Sequence, residues 1–257
     1  MVTFDARGPG TSSAVWAVDE RLAAVRPADL STVRRLIVVA AHPDDETLGC
    51  GGLIADASRR RIPIRIIAVT DGSASHPRSR TVTTQHLRAR RAEELREAVA
   101  RLAPRATITW LGFPDGRAAD FSEALEDRLR EELMRASADT LVTVTWSGDG
   151  HRDHRVVGEI VERTAPPSAT VWGYPIWAWH WASPGDADLP WGRAVAVPLT
   201  PDDLARKRHA IEAFASQVEP LSAQPGDERV LEPGVLEHFA RDREVFFVST
   251  TTGGRQP

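Results

Sequence analysis

The chain has a single cysteine, Cys50. One cysteine excludes an internal disulfide framework and a cysteine-rich zinc site. Lysine is as scarce: Lys207 is the only one, every other basic side chain is arginine, and we read this as GC-rich coding rather than function. Long apolar runs are also missing. No stretch approaches the roughly 18 apolar residues needed to span a bilayer. Met1 to Pro9 carries Asp5 and Arg7 but no apolar segment, so it does not read as a signal peptide. These absences predict a cytoplasmic protein with no membrane partner. An excess of positive charge is absent too. Lys+Arg is 32 against Asp+Glu 36, a net charge of -4, which disfavours a nucleic-acid partner. The same acidic balance argues against a polyanionic acceptor.

What remains is ordinary globular composition: 257 residues, 42% hydrophobic and 26% charged. Leu36 to Ala41 is a continuous β-branched apolar run, the pattern of a strand buried on both faces. Similar runs follow at Ile62 to Thr70, Ala106 to Leu111 and Thr140 to Thr145. Between them, Thr47 to Arg61, Leu87 to Leu102, Phe121 to Leu133 and a segment ending at Arg163 read as helices. Asp120 with Glu123 resembles an N-cap and its return partner. Strands alternating with helices predict right-handed crossovers and an α/β fold, a Rossmann-like three-layer αβα sandwich with a mostly parallel sheet. We expect one domain over 1–257, with the core at 30–165 and a C-terminal elaboration at 166–257. That elaboration should hold strands at Thr170 to Trp177, Arg193 to Leu199 and Glu244 to Ser249, and a helix from Pro201 to Ala215. Residues 73–84 read as a polar loop; 1–30 and 251–257 read as peripheral.

Two polar clusters stand at carboxyl ends of these strands, where open parallel sheets bind ligands. One is His42-Pro43-Asp44-Asp45-Glu46; the other is Asp149 to His154. His42 and Asp45 can reach one metal ion from a tight turn, and His151 and His154 share a helical face. His42, Asp45 and one of the two later histidines would supply three N/O ligands, which leaves a catalytic zinc an open position. His/Asp ligands also suit ferrous iron. Asp44, flanked by two ligands, is the natural base. Gly49-Cys50-Gly51-Gly52 is not a dinucleotide fingerprint, because Ile54 stands where its last glycine belongs. Cys50 reads as a small buried residue, and neither a Gly-x-Ser-x-Gly elbow nor a P-loop is present.

Ala41-His42-Pro43-Asp44-Asp45-Glu46 with Gly49, Gly51 and Gly52, together with His151-x-Asp153-His154, resembles the LmbE-like, or PIG-L, family of metal-dependent N-deacetylases. Thr70-Asp71-Gly72, Arg91-x-x-Glu94-Leu95, Leu111 to Gly116, and Lys207 leading to Ser216-Gln217 match as well. The resemblance implies His42, Asp45 and His154 as zinc ligands and Asp44 as general base. It implies that His151 polarises the amide carbonyl or stabilises the oxyanion and that Asp153 orients its neighbours. Arg91, on the matching helix, is expected to contact substrate. The implied reaction removes acetate from an N-acetylglucosamine-type sugar or glycoconjugate. Cleavage of a thiol-sugar amide and a non-catalytic sugar- or metal-binding module are the alternatives. The family often carries a histidine where this chain has Phe214.

Five of the eight tryptophans, Trp172, Trp177, Trp179, Trp181 and Trp191, fall within twenty residues. Trp172 and Trp177 fit alternate positions of a buried strand. Trp179, Trp181 and Trp191 accompany Pro184, Gly185, Asp186, Asp188 and Pro190, which reads as a surface loop. Trp179 and Trp181 are therefore expected to form part of an acceptor pocket.

Overall fold

The computed structural model describes residues 8–250. Strands β1 (Arg35–Ala40), β2 (Ile64–Thr70), β3 (Thr107–Phe113), β4 (Thr140–Thr145), β5 (Thr170–Tyr174), β6 (Ala194–Pro198) and β7 (Arg243–Val248) form one sheet in the order β3-β2-β1-β4-β5-β7-β6. The first five in that order are parallel, and β7 runs antiparallel to both β5 and β6. The helices are α1 (Ser13–Ala17), α2 (Glu20–Ala24), α3 (Asp45–Arg59), α4 (Thr84–Leu102), α5 (Ser122–Leu133), α6 (Arg152–Thr164), α7 (Ala178–Trp181), α8 (Pro201–Ile211), α9 (Ala215–Val218) and α10 (Pro233–Leu236).

The alternation of side chains along β1 divides the apolar core in two. Leu36 and Val38 pack with residues of α3, α4 and the C-terminal segment, whereas Ile37 and Val39 pack with Leu125 and Leu129 of α5 and Val157 and Val161 of α6. The result is three layers, as the sequence predicts. Among the described residues, no helix is long and apolar enough to cross a membrane.

The strand order reverses at β1: β2 and β3 lie to one side, β4 and β5 to the other. This switch point opens a crevice at the carboxyl ends of β1 and β4. Chain order alone does not make these two strands neighbours; the register Leu36↔Leu141 through Val39↔Val144 does.

Several boundaries depart from the sequence reading. Ala178–Trp181 is a helix, so the strand expected to reach Trp177 stops at Tyr174. Asp120 pairs with Arg117 instead of capping α5, whose N-cap position is Phe121. The helix begun at Pro201 ends at Ile211, and α9 follows as a separate turn. The described part of residues 1–30 is not peripheral. Trp16 is wholly buried, and its indole N–H donates to the carbonyl of Trp179 at 2.7 Å. Arg26 to Ala28 pairs with Ala196 on edge strand β6, which removes an open ladder position. Residues 251–257 lie outside the described part.

Candidate metal centre and active site

The turn after β1 is the origin of the site. Asp44 has φ 135°, a conformation a non-glycine residue adopts only under constraint. Its N–H donates to Glu46 Oε2 (3.1 Å), and its carbonyl accepts the first N–H groups of α3 from Thr47 and Leu48. Arg91, from α4, is buried and donates to the Pro43 carbonyl, and its guanidinium lies 3.2 Å from Asp44 Oδ2. The helix start, Glu46 and Arg91 thus hold the strained residue with its carboxylate on the cavity.

Three donor atoms converge beside it. His42 Nδ1, Asp45 Oδ2 and His154 Nε2 are separated by 3.1 Å (His42–His154), 3.3 Å (His42–Asp45) and 3.3 Å (His154–Asp45). A tetrahedral ion with bonds of about 2.0–2.1 Å requires ligand atoms about 3.3 Å apart, so this triangle has the dimensions of a ligand face.

The second nitrogen of each histidine is anchored. His154 Nδ1 lies 2.7 Å from Asp149 Oδ2, and His42 Nε2 lies 3.2 Å from both Asp153 Oδ2 and Asp115 Oδ1. Anchoring the far N–H on a carboxylate directs the lone pair of the near nitrogen at the metal, the usual support for a ligating histidine. Burial by itself would lower both histidines. Asp115 and its neighbours outweigh it for His42, Asp45 and Asp149 for His154, so both are raised, His154 to about 9. The cluster is thus rich in negative charge and calls for a cation, and the residues present fit a divalent metal.

Burial pushes Asp44 up to about 7, against the opposing pull of Arg91. Burial likewise raises Glu46, to about 8. Asp45 is held ionised despite its burial by His154 and His42. His151 differs from the other two histidines. Burial, then His154 and His42, pulls it down to about 3, so the ring is neutral. Its Nδ1 accepts the Asp153 N–H at 3.2 Å, which places the ring proton on Nε2. That nitrogen donates. His151 lies close enough to His42 and His154 to be counted with them as a possible ligand group, but this tautomer suits it to a substrate oxygen. Asp153 also accepts from Gly116 N (2.8 Å) and Ala118 N (3.2 Å), so it fixes the 115–118 turn as well as His42.

A cavity of about 410 Å³ opens over this centre, bordered by His42, Asp44, Asp45, Arg91, Asp115 and His151 at its floor. The geometry sorts the remaining expectations. Arg91 borders the cavity, but its guanidinium is engaged by Pro43 and Asp44. Trp179 and Trp181 do not border it. Trp179 is buried edge-on against Trp16 (5.3 Å, 83°) with Arg241 over its other side at 4.5 Å, and the Trp181 indole N–H donates to the Asp149 carbonyl at 2.8 Å. Trp179 is core, and Trp181 is partly buried against the same core; the short helix α7 sets both directions. Trp191 packs against Trp16 and Phe247. The aromatic on the cavity is Trp177. Phe214 is buried in the apolar core and does not border the cavity.

Two site residues lie in segments the sequence singled out but received no role there. Asp149 accepts not only from His154 but also from the N–H groups of Ile176 (2.8 Å), Trp177 (3.0 Å) and Ala178 (2.9 Å). Asp115 joins His42 to the Ala74 N–H (2.9 Å). Both follow carboxyl ends of strands, the signal that singled out His42, and it extends to them.

Residues 37–165, half of the chain, match the family described as PIG-L: GlcNAc-PI de-N-acetylase. The chain belongs to the PIG-L (LmbE-like) family of amide hydrolases. Among its PIG-L relatives, the 1D-myo-inositol 2-acetamido-2-deoxy-alpha-D-glucopyranoside deacetylase of Corynebacterium urealyticum is 26% identical over 238 residues, covering 72% of this chain and 71% of that protein. The 2'-N-acetylparomamine deacetylase of Streptomyces fradiae is 29% identical over 158 residues, 53% of this chain and 54% of that one. The fold is that of N,N'-diacetylchitobiose deacetylase from Pyrococcus horikoshii, with a TM-score of 0.62 at 19% identity over 87% of this chain and 88% of the other. The zinc inhibited form of teicoplanin deacetylase superposes with a TM-score of 0.61 at 17% identity, over 83% of this chain and 97% of that one.

Proposed function

We propose that this PIG-L protein removes the N-acetyl group from an N-acetylglucosamine-type amino sugar or glycoconjugate, releasing acetate and a free amine. His42, Asp45 and His154 would hold a divalent cation, with zinc or ferrous iron suited to this N/O donor set. The observation that carries the reading is the triangle of donor atoms with Asp44 held in a strained conformation beside it. A sugar- or metal-binding module needs no such base, and this favours catalysis over a purely binding role. The deacetylase activities of the relatives support the same reaction class.

When bound, the metal supplies Lewis acidity, acidifying water and polarising a carbonyl. The chain's own residues do the rest. Asp44 accepts a proton from the attacking water and returns it to the departing nitrogen, so water and amide become acetic acid and amine, which at neutral pH separate as acetate and the protonated amine. Arg91 keeps the Asp44 carboxylate aimed at the cavity. His151 donates from Nε2 to the carbonyl oxygen as negative charge gathers there, as a neutral hydrogen-bond donor. Asp153 holds His151 and His42 in register. Trp177 offers a flat apolar surface to one face of the sugar ring. Metal-loaded protein incubated with methyl N-acetylglucosaminide should release acetate and amine in equal amounts. A chelator should abolish this, and added zinc or ferrous iron should restore it. Activity indifferent to chelation would refute the metal-assisted reading.

A further inference from the structure

A second cavity, of about 20 Å³, lies between α3, α7, α8 and the start of β7. It has room for one particle about the size of a water molecule. Leu48 is the one residue that borders both this cavity and the larger one over the metal centre. The charged side chains around it are Lys207, Arg241, Arg243 and Glu244, three cations to one carboxylate. Glu244 is buried and fully engaged. Its Oε1 accepts from Lys207 Nζ (2.8 Å) and the Gly52 N–H (2.7 Å), and its Oε2 accepts from the Leu53 N–H (2.8 Å). Arg243 has a carboxylate of its own outside the cavity, with Nε 3.1 Å from Asp242 Oδ1.

Arg241 has no carboxylate partner among the described residues. Its guanidinium lies 4.5 Å from the Trp179 ring centroid, and Nη2 donates to His238 Nδ1 at 3.1 Å. A histidine that accepts on Nδ1 is neutral, so His238 brings no charge of its own. Arg241 Nε is buried and has no hydrogen-bond partner among the described residues. Burial pulls Arg241 down to about 10, which still leaves it charged at neutral pH. A buried cation without a counter-ion is costly. A water on Nε would complete the hydrogen bond and leave the charge, whereas an anion answers both.

We propose that this cavity binds one halide ion, chloride in ordinary buffers, held by the Arg241 Nε–H and the Lys207 ammonium. Lys207 spends one of its three N–H donors on Glu244 and has others to give. The size of the cavity admits a single-atom anion and excludes sulfate, phosphate and carboxylates. The ion joins α8, which carries Lys207, to the turn before β7, which carries Arg241. Its effect therefore falls on stability. The site is separate from the metal centre and does not depend on the deacetylase reading.

The test uses metal-loaded protein near neutral pH. Crystals grown in methanesulfonate are soaked in about 200 mM sodium bromide, and the anomalous scattering of bromine is mapped. We expect a peak in the cavity beside Arg241 Nε. Melting is then compared in sodium chloride and sodium methanesulfonate at equal ionic strength, so that general screening is shared. Chloride should raise Tm by about 2–4 °C over methanesulfonate, by an increment that grows with its concentration. Arg241→Met keeps an apolar contact with Trp179 and removes the charge, so the chloride increment should vanish. No peak in the cavity, or an increment preserved in the variant, overturns the proposal. A peak with equal Tm in the two salts means an adventitious ion only, and overturns it as well. If Arg241→Met does not fold, the wild-type map and melting curves decide by the same criteria.

Discussion

At the scale of single residues, the acidic and imidazole side chains differ in what each nitrogen or oxygen touches. His42→Ala, Asp45→Ala and His154→Ala each remove one corner of the ligand triangle, so metal content of the purified protein should fall sharply in all three. His151→Ala should keep its metal and lose turnover, because its Nδ1 is taken by the Asp153 N–H and its Nε2 carries a proton. Metal loss as complete as in His154→Ala would move His151 into the ligand set. Asp149→Asn tests a residue that the sequence placed in the second polar cluster without a role. The amide cannot replace a carboxylate that meets His154 and three backbone N–H groups. Metal affinity should drop about 10- to 100-fold, the usual cost of losing such a support, as read by competition with a chromogenic chelator. An unchanged affinity would mean that Asp149 serves only the 176–178 turn.

At the scale of elements, the tryptophans give the clearest case of side chains redirected by a short helix. Trp179→Ala should destabilise the protein by about 3–5 kcal/mol, the cost of emptying a buried aromatic site, and should leave KM unchanged. Trp177→Ala should instead raise KM for N-acetylglucosaminides. Denaturant titration and steady-state kinetics separate the two, and a KM effect at Trp179 without loss of stability would return it to the pocket. The parallel strands were legible because a strand covered on both faces must read as an uninterrupted apolar run, as Leu36 to Ala41 does. The adjacency of β1 and β4 was not, since strand order depends on which crossovers cover which face. The role of Trp16 was hidden too. A lone aromatic in the short apolar run Ala14 to Val18 carries no periodic signal, and it packs with Trp179 and Trp191, far away in sequence. The proposed ligands could be singled out together because they lie in two short segments. The contacts of Arg91 with Pro43 and Asp44 could not, because these partners come from outside its own helix.

At the scale of the whole molecule, the acid limb of stability should carry the signature of His238. Burial, and then the charge of Arg241 and the proximity of His180, pulls this residue down to about 4 in the folded protein. Unfolded, it titrates near 6.5. Its neutral form is the folded one, so its contribution is fully present above pH 6.5. Below that the unfolded chain binds the proton that the folded chain refuses, and stability is lost until about pH 4, by on the order of 2–3 kcal/mol. His238→Gln should flatten this part of a stability-versus-pH curve, and parallel curves for the two proteins would contradict it. The proposed function on the same scale rests on the seven-stranded sheet bringing the ends of β1 and β4 together, with the strained Asp44 beside the donor atoms of His42, Asp45 and His154. The most direct test is acetate release from an N-acetylglucosaminide by wild-type and Asp44→Asn protein at matched metal content. The account predicts equimolar acetate and amine from the wild type and a rate lower by about 10²–10⁴-fold in the variant, the range for loss of a general base. Near-equal rates from the two proteins, at equal metal, would contradict it.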